Sequence, residues 1–363
     1  MRIGIVGAGQ LGRMMALSGI PLGLEFAMYD THAGVPGAAV AEIHTGAFDD
    51  RKKLARFARS VDVVTFDWEN VPVASARTIA SLRPVWPPPR ALEVAQDRVS
   101  EKKLFRRLGI PVAPFAAVDS TAELARAIVT LGAPGILKTR RLGYDGKGQV
   151  RIRRARDAAG AYEQLAGQSL VYERFVDFTR EVSLVGVRDR RGAVRPYPLA
   201  ENEHVSGILA VTRAPYSDAA LQRQSERNHR RLMRALGYVG VLCVEYFVER
   251  GRLVANEMAP RVHNSGHWTI EGAETSQFEN HVRAIAGLPL GATTPRGHAV
   301  MVNVIGRKPR ARDLLAMAGL HWHDYGKAER PGRKLGHVTL VTGTRAARDR
   351  AARQLRRRLI SRQ

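Results

Sequence analysis

The first residues that could do chemistry are two glutamates set in apolar surroundings. Residues 241–248 and 253–258 are strand-like apolar runs separated by Arg250-Gly251-Arg252. A hairpin centred on Gly251 sets Glu245 opposite Glu257. Facing residues on paired strands hold their Cβ atoms about 5 Å apart, so two carboxylates there repel unless one is protonated or a cation bridges them. A hard, oxygen-seeking ion such as Mg²⁺ resolves the conflict and brings nucleotide phosphates with it. A slipped register would instead turn one glutamate to solvent.

Directly after Glu257 comes Pro260-Arg261-Val262-His263-Asn264-Ser265-Gly266-His267-Trp268, a cationic and polar segment to follow a core strand. Arg261 and His263 alternate onto one side and suit an anion, although a lone histidine is more often structural. Upstream, Ile136-Leu137-Lys138 reads as a strand that delivers an ammonium. The next turn, Gly143-Tyr144-Asp145-Gly146-Lys147-Gly148-Gln149, offers flexible backbone N–H donors able to close over polyphosphate oxygens. It lacks the Gly-x-x-x-x-Gly-Lys-Ser/Thr of a P-loop, and a surface turn with a solvated lysine is the plain alternative. Near the end, Arg330-Pro331-Gly332-Arg333-Lys334 gathers three cations around a turn, suited to a phosphate monoester or simply exposed. Only nine of the 57 basic residues are lysines, so Lys138, Lys147 and Lys334 stand out as compact point charges in an arginine background.

The amino end carries Gly7-Ala8-Gly9-Gln10-Leu11-Gly12 between a short apolar strand and a helical stretch, with Asp30 closing a second strand. This is the context of a dinucleotide fingerprint and, taken alone, favours an oxidoreductase. The glycines only let N–H groups approach an anion, and any phosphate or carboxylate can use that.

The elements that must position these residues follow from the pattern. The first ninety residues read as a parallel α/β sheet, with strands near 24–29 and 61–66 and ligand groups at their ends. Four prolines between Pro84 and Pro89 read as a stiff linker. Residues 91–108 are helical, a smaller α/β unit runs to about Val176, and strands return between 181 and 286 around one helix at 221–236. Short strands near 299–305 and 337–341 form a final unit. The expected domains are 1–90, 91–290 with a lid at about 112–176, and 291–363.

The chain has 363 residues with 57 basic and 34 acidic, a net charge of +23. The arginines are scattered along its length, which argues against a nucleic-acid face. The run 345–363 has eight arginines and one acid, Asp349, and reads as a solvated helix. No apolar run is long enough to span a membrane. The single cysteine, Cys243, rules out a disulfide within the chain, so a cytoplasmic protein is expected.

Taken in order, several motifs resemble those of the 5-(carboxyamino)imidazole ribonucleotide synthetase family. They are Gly9-Gln10-Leu11-Gly12-Arg13-Met14, Gly143 to Gln149, Glu181-Val182-Ser183, the run from Asn256-Glu257 through Trp268-Thr269, and Arg330 to His337. The likeness covers nearly the whole chain, and the two long motifs are specific to that family. The resemblance implies an ATP-grasp fold, mixing α/β and α+β, with an N-terminal Rossmann-like parallel sheet, a central nucleotide-binding domain and a small C-terminal domain. It also implies a homodimer, with ATP, bicarbonate and 5-aminoimidazole ribonucleotide as substrates and Mg²⁺ as cofactor. The products are ADP, phosphate and the N5-carboxylated ribonucleotide, formed through carboxyphosphate.

By that resemblance Arg98, Lys138 and the 143–149 loop contact ATP phosphates. Glu173, Arg174, Phe175, Val176, Glu181 and His204 line the adenine and ribose pocket, and Asn256 adjoins the metal ligands Glu245 and Glu257. Gln10, Leu11, Glu69, Asn70, Tyr144, Asp145, Arg330 and Arg333 bind the ribonucleotide, with Asp145 placed to orient the amine or take its proton. Arg261, His263 and Lys334 surround bicarbonate, carboxyphosphate and the ribonucleotide phosphate. Asp67 stands where the family pattern has glutamate, which leaves its local role open. The competing expectations are another ATP-grasp ligase, such as a formate-dependent glycinamide ribonucleotide transformylase, a nicotinamide oxidoreductase and a nucleic-acid-binding module.

Overall fold

The computed structural model describes residues 1–143, 146–165 and 167–360. Its N-terminal sheet is parallel, in the order Glu42–Thr45, Glu25–Asp30, Arg2–Val6, Val63–Phe66. These strands read as apolar runs because helices cover both faces. The proline segment is not a free linker. Val85 pairs in parallel with Val64, Trp86 donates to the Val64 carbonyl at 2.9 Å, and Val85 is buried. Backbone acceptors left open at the sheet edge capture this chain even though its prolines cannot donate.

The helical stretch after it is two helices, Pro89–Ala95 and Arg98–Arg107. Asp97 interrupts them because its carboxylate caps the second, accepting from Val99 N and Ser100 N at 3.0 Å each. That cap sets the phase of the helix and places Arg98 and Lys102, four residues apart, on one face.

Two antiparallel sheets build the rest. A four-stranded one runs Phe115–Val118, Leu170–Arg174, Gly135–Thr139, Gln149–Ile152. Among the described residues a nine-stranded sheet runs Arg252–Ala259, Gly240–Glu249, Arg180–Arg188, Ala200–Val205, Ile208–Ala214, His298–Ile305, Lys334–Thr342, Leu320–Asp324, with Val194–Pro196 beside Arg180–Arg188. The strands beyond residue 290 therefore extend the central sheet, and Lys334 arrives on the same surface as Glu245. The terminal helix, Arg345–Leu359, is not solvated all round. Arg348, Ala351, Ala352, Leu355 and Leu359 are buried against the sheet, and Arg348 donates to the Pro215 carbonyl at 3.0 Å. Its small and leucine positions recur at helical spacing inside the arginine run and make an apolar stripe.

The decisive hairpin forms differently from expectation and reaches the same pairing. Its turn is the two-residue Arg250-Gly251, both at positive φ (49° and 72°), so pairs near the turn run from Glu249 with Arg252 to Tyr246 with Ala255. A hairpin centred on Gly251 would be offset from these by one residue. A bulge between Glu245 and Tyr246 then restores the offset and brings Glu245 opposite Glu257.

Candidate active site

The glycine loop at the amino end closes on the protein's own carboxylates. Asp30 accepts from Ala8 N at 2.8 Å and Thr31 N at 2.7 Å, which commits the acid a dinucleotide ribose would need. A Cβ on Gly9 would lie 2.7 Å from Asp67 Oδ2, so glycine is required there by Asp67. Burial pushes the Asp67 carboxyl up, with the Gly12 N–H, Arg261 and Lys327 pulling the other way. Gln10 is half-buried at the start of the following helix; Leu11 is buried in the core and leaves only backbone to a ligand.

A compact ion network surrounds Glu173. Lys138 Nζ sits 3.2 Å from Glu173 Oε2, and Lys102 Nζ reaches the same oxygen at 3.1 Å while donating to the Asn256 carbonyl at 3.2 Å. Burial works against the Glu173 charge, but Lys102, Lys138 and Arg98 outweigh it and bring the carboxyl down to about 2. Burial, with Lys102 and Arg98 adding repulsion, pulls Lys138 below the usual lysine range despite Glu173. Burial and the neighbouring Glu257 push Glu101 up to about 8, where its Oε1 accepts from Met258 N at 2.5 Å. Arg98 Nη1 binds Glu257 Oε2 at 2.7 Å, and Nη2 reaches the Gly143 carbonyl at 3.3 Å.

Glu245 and Glu257 split as their surroundings dictate. Arg98 overcomes burial and holds the Glu257 carboxyl low; burial and the opposing Glu257 raise that of Glu245. Two like charges side by side cannot both ionise cheaply without a cation. The donors are all hard oxygens, and Asn256 Oδ1 nearby is buried without a partner among the described residues, so the set fits Mg²⁺ in kind.

Past Glu245 comes the anion end. Arg261 grips Glu69 with two parallel bonds, Nε to Oε2 at 2.5 Å and Nη2 to Oε1 at 2.8 Å. Although burial opposes it, Arg261 holds the Glu69 carboxyl below the usual range. His263 Nε2 is 3.7 Å from Glu245 Oε1, and burial together with Arg261 and Lys334 brings His263 down to about 3, so it is neutral at physiological pH. Gln277 clamps its backbone, accepting from His263 N at 3.0 Å and donating to its carbonyl at 2.7 Å. His204 pairs with Glu181. Burial lowers its basicity, but the Glu181 hydrogen bond and the Glu245 charge raise it further.

Family models match as a ribonucleotide synthetase preATP-grasp domain over residues 1–96, an ATP-grasp domain over 103–278 and a phosphoribosylaminoimidazole carboxylase C-terminal domain over 299–351. The N5-carboxyaminoimidazole ribonucleotide synthase of Pseudomonas aeruginosa is 49% identical over 346 residues, covering 95% of this chain and 96% of that protein. The chain belongs to the N5-carboxyaminoimidazole ribonucleotide synthase family. As a member it is an ATP-grasp ligase, with a parallel preATP-grasp sheet and a C-terminal unit. The crystal structure of the Thermus thermophilus synthetase is similar at a TM-score of 0.95 and 50% identity, covering 99% of this chain and 98% of that one. The Aspergillus clavatus synthase, solved in complex with ADP and 5-aminoimidazole ribonucleotide, matches at 0.91 and 30%, covering 98% and 97%.

Within this family frame the expected residues fall into two groups that meet at Glu245. Arg98, Lys138, Glu173, Asn256 and Glu257 are joined by the contacts above, and Arg261, His263, Glu69 and Lys334 gather at the other end. Arg174 is exposed, its N–H taken by the Pro114 carbonyl; Phe175 lies under Arg151 at 4.2 Å and Val176 is buried. Gly146 packs against Gly207, while Lys147 and Gln149 are exposed. Asn70 is half-buried beside Glu69, Arg330 is exposed, and Arg333 donates to the Ala328 carbonyl at 3.3 Å. Tyr144 and Asp145 lie outside the described residues.

Two functional candidates escaped the sequence reading, Lys102 and Lys327. Burial, with repulsion from Arg333, Lys334 and Arg330, brings Lys327 down to about 8 despite the facing Asp67. Both are among the nine lysines, so the scarcity that singled out Lys138 was a signal for these as well.

Proposed function

We propose that this chain carboxylates the amine of 5-aminoimidazole ribonucleotide with bicarbonate at the expense of ATP, giving N5-carboxyaminoimidazole ribonucleotide, ADP and phosphate. The observation that carries this reading is the meeting of the two groups: His263 of the anion end stands 3.7 Å from Glu245 of the phosphate end. A phosphorylated carboxylate is the kind of species that needs both at once.

Bicarbonate is a poor electrophile, so its oxygen attacks the γ-phosphorus of ATP, the bond to the ADP oxygen breaks, and carboxyphosphate forms. Loss of phosphate then yields CO₂, which the exocyclic amine captures with release of a proton. Phosphoryl transfer of this kind is accelerated mainly by positioning and charge neutralisation. Arg98 and Lys138 bind the phosphates, and Lys138 must turn from Glu173 to do so. Glu173, Val176, Glu181 and His204 bind the adenine and ribose, and the glycines of the 143–149 loop exclude water over the phosphates. Glu245 and Glu257, with Asn256 beside them, would hold Mg²⁺, which would supply charge neutralisation for the nucleotide phosphates. Arg261, held rigid by Glu69, presents its remaining donors to the carboxylate of bicarbonate. His263, neutral, offers a hydrogen bond rather than a proton. Arg330, Arg333, Lys334 and Lys327 suit the ribonucleotide phosphate, with Gln10 and Asn70 nearer its ring and Tyr144 and Asp145 at the amine.

The three family matches support the division at 1–90, 91–290 and 291–363, and family likeness supports a cytoplasmic homodimer. ADP release is measured with purified protein, ATP, Mg²⁺ and 5-aminoimidazole ribonucleotide, with and without bicarbonate. Release that depends on both supports the reading; ATP cleavage indifferent to the ribonucleotide overturns the substrate assignment.

A further inference from the structure

Behind His263 a row of buried polar side chains crosses the central sheet. Thr212 and Asn202 face each other on adjacent strands, and Thr212 Oγ1 donates to Asn202 Oδ1 at 2.9 Å. Asn202 Nδ2 donates to Ser183 Oγ at 2.9 Å, Ser183 Oγ donates to Ser265 Oγ at 2.8 Å, and Ser265 Oγ lies 2.9 Å from His263 Nδ1. Asn202 is 6% exposed, Ser183 1%, and Ser265 and Thr212 not at all, so no solvent competes for these bonds.

The row has a direction. An amide nitrogen only donates, so Ser183 receives a proton from Asn202 and its own single hydroxyl proton goes to Ser265. Ser265 in turn has one proton to give, and its acceptors are His263 Nδ1 and the weakly accepting Cys243 sulfur at 3.6 Å. A second, independent donor points the same way. The Ser265 backbone N–H, 3.3 Å from Nδ1, cannot accept. Two donors therefore converge on Nδ1, which must hold a lone pair, and the ring proton resides on Nε2, the nitrogen that faces Glu245.

We propose that Ser265, through its hydroxyl and its backbone N–H, is the positioning residue that fixes the proton of His263 on Nε2, so that the imidazole meets the carboxylating anion as a hydrogen-bond donor. The proposal rests on the function given above. With the proton on Nδ1 instead, the ring would aim a lone pair at an anionic oxygen and a stabilising contact would become a repulsive one. Gln277 supports the arrangement by clamping the His263 backbone on both sides, which fixes the ring's origin while Ser265 fixes its proton. None of these residues adjoins another in sequence; the sheet brings positions 183, 202 and 212 into line, and the short helical turn Asn264–Gly266 sets Ser265 against them.

The first test needs no substrate. The full chain is labelled with ¹⁵N-histidine, and the His263 signals are assigned by their loss in His263→Gln. A lone-pair shift for Nδ1 and an N–H shift for Nε2 are expected at pH 7.5. A protonated Nδ1 overturns the proposal. Because this readout involves no turnover, it fails separately from the carboxylation itself. The second test is kinetic. In Ser265→Ala only the backbone N–H is left to hold Nδ1 unprotonated, so the bias toward the Nε2 tautomer weakens and the ribonucleotide-dependent kcat falls about tenfold with the ATP KM within about twofold. In Ser183→Ala the Ser265 hydroxyl still donates to Nδ1, so kcat stays within about threefold and the His263 shifts are unchanged. Equal losses in the two variants, or a loss in Ser265→Ala carried by the ATP KM, overturn the proposal. Should Ser265→Ala not fold, the wild-type spectrum and Ser183→Ala decide the matter.

Discussion

Replacing Lys102 with methionine should weaken nucleotide binding without touching a nucleotide contact. Lys102 and Lys138 share one oxygen of Glu173, at 3.1 and 3.2 Å, with all three groups buried. In the wild type Lys138 can leave Glu173 for a phosphate because Lys102 keeps the carboxylate paired. Without Lys102 that departure strands a buried carboxylate. A hydrogen bond to a charged group contributes roughly 1.5–3 kcal/mol net. Taking the lower part of that range, about 1.5–2 kcal/mol, because Arg98 still faces Glu173, ADP should bind about 10- to 30-fold more weakly. Titration calorimetry with ADP measures this, and Lys102→Arg should recover part of it. Acid stability moves in the same variant. Glu173, depressed to about 2, contributes stability that is present above its unfolded pKa of about 4.3 and lost as pH falls toward 2. Losing a cation raises that folded value, so acid unfolding should begin at higher pH. Unchanged ADP affinity together with an unchanged acid midpoint would refute the reasoning.

Glu257→Gln keeps the side-chain shape but removes the charge that pairs with Arg98 and a carboxylate for the metal; Mg²⁺-dependent ADP release should fall by at least about a hundredfold in a steady-state assay. Glu69→Ala frees the Arg261 fork and should raise the bicarbonate requirement about tenfold while leaving ADP affinity alone, read from bicarbonate titrations and calorimetry. Lys327, brought down to about 8, loses its charge as pH rises through that value, so ribonucleotide KM should climb above pH 8 in the wild type and stay flat there in Lys327→Arg. Burial raises the Cys243 thiol well above its ordinary range, so the native protein should react with a thiol reagent only on unfolding, as followed by absorbance in increasing denaturant.

Much of the site was legible because short-range rules govern it. Strand alternation and a glycine turn were enough to put Glu245 against Glu257, and the polar segment after that strand led to Arg261 and His263. The pairing nevertheless arises from two features that no hydrophobic pattern announces: a turn with Arg250 at positive φ and a bulge beside Glu245 that compensates for it. The glycine fingerprint was read correctly as strand, loop and helix, but its meaning depended on Asp67, distant in the chain, occupying the space that Gly9 leaves. The proline run and the arginine-rich helix were misjudged for a related reason. Composition describes what a segment prefers when solvated, whereas unpaired backbone on Val64 and an open apolar face on the sheet decided where both segments went.

The sequence by itself determined the local elements, the family and the identities of the charged groups, since these depend on residue type, spacing and chain direction. Only the tertiary structure decided which charges share a partner, why Glu257 is ionised while Glu245 resists it, and which groups face the two nitrogens of His263. Such properties depend on burial and on distances of about 3 Å between residues far apart in the chain, where Coulomb energies and hydrogen-bond direction change steeply with position.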